Sequence, residues 1–440
     1  MTSYWAAYAW LPDGCQSGVG FEVQDGRFAH VRSGGQSQAG QEILSGVTLP
    51  GLANGHSHAF HRVLRGRTHA GGGSFWTWRQ QMYALAARLD PGSYLALARA
   101  VFAEMALAGY TVVGEFHYLH HDQRGRPYGD PNAMGAALIQ AAAEAGIRLT
   151  LLDVCYLAGG LAATGHLPLD LVQTRFSDGD VDHWQQRVSL LVDRDLVRTG
   201  AAVHSVRAVP SEALSTIEKA AGQRPLHVHL SEQPAENAAT QAYYGCTPTE
   251  LLDDHGLLSA RTTAVHATHL TDGDIKALGA NQTSACFCPT TERDLADGIG
   301  PARRLADAGS GLTLGSDQQA VIDPFEELRG LEMHERLATG ERGRFTPADL
   351  MMIASEAGYR SLGWPSGGQI ADGALADFVV VRSDSVRTTG TRPDQIGYAA
   401  TAADIDQVVV AGQVIVRDGQ HRLGPPARLL TAALDQLETA

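Results

Sequence analysis

Lysine is almost missing from this chain. Lys219 and Lys276 are its only lysines, so arginine carries nearly all of the positive charge. Cysteine is sparse and odd in number, five in 440 residues, which excludes a disulfide framework. The Cys286-Phe-Cys288 pair has no second pair to make a zinc ribbon and reads as core. No run of about 18 apolar residues occurs, so no membrane span is expected. Met1 to Gly14 has no basic start followed by an apolar core, so no secretory signal is expected and the cytoplasm is the default location. The net charge is −14 and no basic stripe offsets it, which argues against a nucleic-acid binder and leaves small polar substrates. No Gly-x-Gly-x-x-Gly follows the first strand, against a dinucleotide fold. No low-complexity linker and no solenoid-type repeat is present.

What is present suits a folded chain with a large core: 44% hydrophobic and 19% charged residues. Residues 1–49 alternate apolar and polar positions around turns such as Asp25-Gly26, the pattern of β-hairpins. The far end repeats it in Ala376-Asp-Phe-Val-Val-Val and in Val408 to Val416, with a turn at Ala411-Gly412. The two ends are expected to pair as one small β-sandwich domain, residues 1–49 plus 366–440, closed by a helix from Arg428 to Thr439. Between them short apolar runs alternate with Ala/Leu-rich helical stretches such as Pro91–Ala108, Asn132–Ala145 and Thr247–His255. Strands are expected to begin near Val47, Tyr110, Ile147, Ala201, Pro225, Thr263, Thr283 and Gly311. Eight such units over residues 50–365 predict an α/β fold, a TIM-type (β/α)8 barrel, with a doubly wound open sheet as the competitor.

The chemistry lies at the predicted strand ends. Leu49-Pro-Gly-Leu-Ala-Asn-Gly-His56-Ser-His58 puts two histidines two residues apart, on one face of a strand. Alone, such a pair is most often two unrelated loop histidines. Here His229 ends the fifth strand, His266 the sixth and Asp317 the eighth, and in a barrel these ends share one face. His56, His58, His229 and Asp317 then form a three-nitrogen, one-oxygen site for a single divalent cation. Zn2+ suits it best, with Fe2+ or Mn2+ as alternatives. Glu232, three residues past His229, is placed to relay a proton from a metal-activated water. His266 is preferred over His269 as the group that stabilises charge on the attacked carbon.

This strand-end set, with a split β domain, resembles the amidohydrolase superfamily over almost the whole chain. Asn54-Gly-His-Ser-His-Ala-Phe60, Ser74-Phe-Trp-Thr-Trp-Arg79, Glu115-Phe-His-Tyr-Leu-His-His-Asp122, His204-Ser-Val-Arg207 and Val265-His-Ala-Thr-His269 further resemble the formimidoylglutamate deiminase family. The resemblance implies hydrolysis of N-formimino-L-glutamate in histidine degradation. It implies that Glu232, His266 and Asp317 do the chemistry, that Arg207 and Tyr118 hold one substrate carboxylate, and that His204 lines the formimino end. It also implies that Arg79 holds the other carboxylate, across the interface of a homodimer. Related binuclear barrels often carry a carboxylated lysine on the fourth strand; Ala201-Ala-Val-His-Ser-Val-Arg207 has none, so one metal is expected. Two positions depart from the family pattern. His61 stands where glutamine is usual, and Gln318-Gln319 where Ser-His is usual. A cationic His61 would reach a shorter acid, so formimino-aspartate is an alternative substrate, and a heterocyclic amine is another. A non-catalytic metal-binding subunit is disfavoured because Glu232 and every ligand are present.

Overall fold

The computed structural model describes residues 1–69 and 75–439. Eight parallel strands run in sequence order: β1 (Leu52–Ser57), β2 (Tyr110–His117), β3 (Arg148–Cys155), β4 (Val197–Val203), β5 (Leu226–Leu230), β6 (Thr262–His266), β7 (Ser284–Phe287) and β8 (Leu312–Leu314). All residues of β2 and β3 are buried. That is why these strands read as continuous apolar runs instead of alternating ones. Pairings such as His117 with Asp153, Val203 with Val228 and Leu230 with His266 keep the C-terminal strand ends level. The ring closes where Ser57, between His56 and His58, bridges to Asp317 just past β8. It is a (β/α)8 barrel and not an open doubly wound sheet.

The chain ends form a separate eight-stranded sheet. Its middle is Glu42–Pro50, parallel to Thr2–Leu11 on one side and antiparallel to Phe378–Val381 on the other. Two of its hairpin turns have both central residues in the left-handed region: Asp25 and Gly26 (φ 50° and 73°), Ala411 and Gly412 (φ 50° and 74°). This is the type I′ geometry that suits strand twist. Tyr4, Phe21, Phe28 and Phe378 pack edge-on or offset on one face of the sheet. The apolar run from Val47 does not begin the barrel, as the sequence suggested. Val47 belongs to this sheet, and β1 begins only after Gly51. One uninterrupted run crosses from sheet to barrel, so hydrophobicity alone cannot mark the junction. Likewise β4 begins at Val197, four residues before its expected start.

Helix α1 (Phe75–Ala86) and helix α2 (Pro91–Leu107) follow β1. Asp90 caps α2 by accepting the Ser93 N–H, while the Ser93 hydroxyl accepts the Asp90 N–H, and Pro91 fills the first turn. The final helix, Pro426–Thr439, packs on α2. Among the described residues no helix is long and apolar enough to cross a membrane.

One buried clamp joins sheet to barrel. Asp377 accepts both Arg148 Nε (2.6 Å) and Nη2 (3.1 Å), the Tyr359 hydroxyl (2.7 Å) and the Ala411 N–H (2.7 Å). Replacing Asp377 with alanine strands a buried guanidinium. It should cost about 3–5 kcal/mol of stability, read as a lower denaturant midpoint; a change below about 1 kcal/mol would contradict the clamp.

Candidate active site

The barrel seam makes the site. His58 N–H donates to the Asp317 carbonyl and Asp317 N–H to the His56 carbonyl, both at 3.0 Å. So close an approach needs glycine. A Cβ on Gly315 would lie 2.8–2.9 Å from His56 backbone and Cβ atoms. Asp317 (φ 42°), Gln319 (φ 63°), His266 (φ 69°) and Ser231 (φ 49°) all hold left-handed backbone around the seam and the neighbouring strand ends. Such positions cost ~1–3 kcal/mol each and collect at functional sites.

Four side chains converge there. His56 Nε2 lies 3.2 Å from His58 Nε2 and 3.1 Å from His229 Nε2, and Asp317 Oδ1 lies 3.3 Å from both His56 and His58 Nε2. Protons cannot satisfy this arrangement, because each neutral imidazole brings one and three nitrogens face one point. Donors about 2.0–2.1 Å from a shared cation in tetrahedral array stand roughly 3.3 Å apart. The four therefore fit a divalent metal. His58 Nδ1 donates to the Phe116 carbonyl at 3.0 Å, which leaves its Nε2 lone pair for the ion. Burial, then neighbouring imidazoles, hold His58 and His229 well below the usual histidine range, hence neutral and able to ligate. Burial would raise Asp317, but His56, His266 and His58 keep its carboxyl well below its usual range. Purified protein should carry one transition metal per chain by elemental analysis, and His229→Ala should lose it; two tightly held ions per chain would be inconsistent with this donor set.

Glu232 and His266 stand beside the tetrad. His266 Nε2 is 3.9 Å from Glu232 Oε1 and from Asp317 Oδ2, while its Nδ1 faces Glu292 Oε1 at 3.6 Å. Burial alone would lower His266, but Glu232, Glu292 and Asp317 hold it well above its usual value. Burial pushes Glu232 up, against the pull of His266 and Arg207. His269 turns away and meets the Asp297 carbonyl at 2.8 Å.

A cavity of about 300 Å3 opens onto these groups, and His61, Arg79, Tyr118, His204 and Arg207 all line it. Ser74 and the Trp76 side chain lie outside the described residues; Trp78 lines the cavity wall. Two expectations change. Arg79 does not need a neighbouring subunit to reach a pocket: it lines the cavity of its own chain, with Nε 2.7 Å from the Tyr83 hydroxyl and Nη2 3.3 Å from the Gly159 carbonyl. Helix α1 folds back over the barrel mouth, which the sequence motif could not reveal. His61 is not a cation. Burial lowers its pKa to about 3, and its Nε2 pairs with the Tyr118 hydroxyl at 2.9 Å. Arg207 has an ion pair as well as a cavity position: Nε donates to Glu236 at 2.7 Å, and Nη2 lies 3.6 Å from Glu232. His204 stays neutral through burial and the nearby Arg207 and Arg79, its ring 4.6 Å from that of Tyr156.

Sequence reasoning missed Tyr83, Tyr156, Gln173 and Glu236, and gave Glu292 no role. Gln173 Nε2 lies 3.0 Å from the Tyr83 hydroxyl, 2.9 Å from that of Tyr156 and 3.0 Å from the Gly159 carbonyl. Its Oε1 accepts the Asp170 N–H at 2.9 Å, which fixes the amide's orientation. Its two Nε2 protons serve three oxygens, those of the two phenols and the Gly159 carbonyl, and draw them together at the cavity wall. Arg79 Nε reaches the Tyr83 hydroxyl on the same wall, 2.7 Å away. This wall is rich in donors and suits an anion. The only sequence signal was the spacing of Arg79 and Tyr83, one helical turn apart.

The amidohydrolase family model matches residues 47–415. The formimidoylglutamate deiminase of Pseudomonas aeruginosa is 36% identical over 440 residues, covering 96% of each chain. A crystal structure of an amidohydrolase from Brucella melitensis superposes with a TM-score of 0.92 at 33% identity, covering all of both chains. An adenosine deaminase from Xanthomonas campestris, solved with bound zinc, shares the fold at a TM-score of 0.83 and 23% identity over 100% of this chain and 99% of its own. The seam tetrad, the barrel and these likenesses agree: the chain belongs to the amidohydrolase family.

Proposed function

We propose that the chain hydrolyses N-formimino-L-glutamate to N-formyl-L-glutamate and ammonia, the deimination step of histidine degradation, with one Zn2+ per chain and Fe2+ as the alternative ion. The observation that carries this reading is the pairing of a mononuclear donor set with a donor-rich wall. Within one cavity, His58, His229 and Asp317 of the tetrad face Arg79, Tyr83 and Tyr156. The likeness to the Pseudomonas aeruginosa formimidoylglutamate deiminase supports it.

A divalent cation held by the tetrad would polarise the amidine and lower the pKa of a water molecule. Glu232 takes the proton of the attacking water and delivers it to the departing nitrogen. The amidine carbon exchanges its C=NH for C=O, and ammonia leaves. His266, its basicity raised by three surrounding carboxylates, donates to the charge that develops on the heteroatoms of the tetrahedral centre. Arg79, with the phenols of Tyr83 and Tyr156, grips the side-chain carboxylate. Arg207, oriented by Glu236, and Tyr118, oriented by His61, take the α-carboxylate.

A second reading has its own support. Trp78, Tyr118, Tyr156 and Phe176 make much of the wall aromatic, which suits a planar heterocyclic amine. Ammonia release measured across N-formimino-L-glutamate, N-formimino-L-aspartate and a set of aminated heterocycles separates the two. Release from the first alone supports the proposal. Release from heterocycles alone replaces it, and preference for the aspartate compound keeps the chemistry but changes the substrate.

A further inference from the structure

We propose that Gln319 is a positioning residue for the metal ligands: its amide ties Ser57 to the Asp317 carbonyl and so holds His56, His58 and Asp317 in register across the barrel seam. The inference rests on the metal reading of the tetrad and is independent of which substrate is turned over.

Gln319 is fully buried. Unlike His58, His229 and Asp317, it does not line the cavity. Its Nε2 lies 2.9 Å from Ser57 Oγ and 2.8 Å from the Asp317 carbonyl, and its Oε1 lies 2.7 Å from Ser316 Oγ.

A backbone donor fixes the first amide of this chain. Ser316 N–H donates to Asn54 Oδ1 at 3.0 Å, which fixes that amide, so Asn54 Nδ2 donates to Ser316 Oγ at 2.6 Å. The Ser316 hydroxyl must then give its own proton to Gln319 Oε1. Gln319 Nε2 is thereby turned toward Ser57, and the Ser57 hydroxyl passes its proton to Glu115 Oε2 at 2.7 Å. Glu115 Oε1 takes the Ala59 N–H, also at 2.7 Å, just beyond His58.

The geometry links ligand to ligand. Ser57 sits between His56 and His58 on the β1 side of the seam. Asp317, on the β8 side, holds a left-handed backbone (φ 42°) that its neighbours must maintain. Its carbonyl receives two donors, His58 N–H and Gln319 Nε2. Gln319 is itself left-handed (φ 63°), and its own carbonyl accepts Arg65 Nε at 2.6 Å. One amide therefore spans the seam directly beneath three of the four ligands. Glutamine does this with two N–H donors on one nitrogen and a separate acceptor. Groups that orient metal ligands typically govern affinity by 10–100-fold.

The test uses the zinc-loaded holoenzyme of wild type, Gln319→Leu, Ser57→Ala and the double variant. The rate of zinc transfer to an excess of chelator is followed with a colorimetric zinc indicator, alongside thermal midpoints. Each single variant should release zinc about 10–100-fold faster. The double variant should release it no faster than the worse single, because both remove the same link. A residue that merely packs the seam would lower the thermal midpoint and leave zinc release at the wild-type rate, and that result overturns the proposal. If Gln319→Leu does not fold, Ser57→Ala decides by the same criterion. A wild type that holds no stoichiometric metal overturns the metal reading and this one together; a wild type that releases zinc as fast as its variants overturns this one alone.

Discussion

Glu232→Gln should keep its full complement of metal and lose at least about 10²-fold in kcat, the usual scale for a group that shuttles a proton. Glutamine preserves the shape and the approach to Arg207 but cannot accept a proton from water or release one to nitrogen. Glu232 is not one of the four converging donors, so metal content should match wild type. The carboxylate stands within 3.9 Å of His266 Nε2 and 3.6 Å of Arg207 Nη2, between the group that meets the developing charge and the group that holds substrate. Its removal should therefore act on turnover much more than on KM. Near-normal kcat with metal retained would move the proton relay to another residue.

The second large effect concerns the far end of the substrate. N-formimino-L-glutamate should exceed N-formimino-L-glutamine in kcat/KM by ~10²-fold. Two hydrogen bonds to a charged carboxylate from the Arg79, Tyr83 and Tyr156 wall contribute about 1.5 kcal/mol each, and ~3 kcal/mol is ~10²-fold. Arg79→Met should collapse the ratio by slowing the glutamate compound while leaving the amide compound nearly unchanged. The one-methylene-shorter aspartate compound should be weaker, because a neutral His61 cannot supply the missing cation. A ratio near one in wild type would remove the anion-binding role from this wall.

The part of the site legible in sequence has a common cause. His56, His58, His229, His266 and Asp317 stand at or just past strand ends, where a two-residue period and eight repeats fix which way a side chain faces. Glu232 was legible by its distance from His229. The supporting residues were not. Gln319 meets Ser57, and Ser316 meets Asn54, across 262 residues of sequence; Ser57 meets Glu115 across 58. Each is a single polar residue whose partner is set only by barrel closure. The Val47 run misled for a related reason, since strand Glu42–Pro50 of the chain-end sheet runs almost directly into the first barrel strand, with every residue from Val47 to Ser57 buried. Arg79 was found through its motif, but the motif does not say which subunit's cavity it enters; that depends on how α1 folds back.

The most direct measurement of the central claim is a product balance. Purified one-metal enzyme is given N-formimino-L-glutamate, and ammonia and N-formyl-L-glutamate are quantified together. The account predicts that both appear in equal amounts, as hydrolysis of one C–N bond of the amidine requires. No release from this compound while a heterocyclic amine loses ammonia would contradict it.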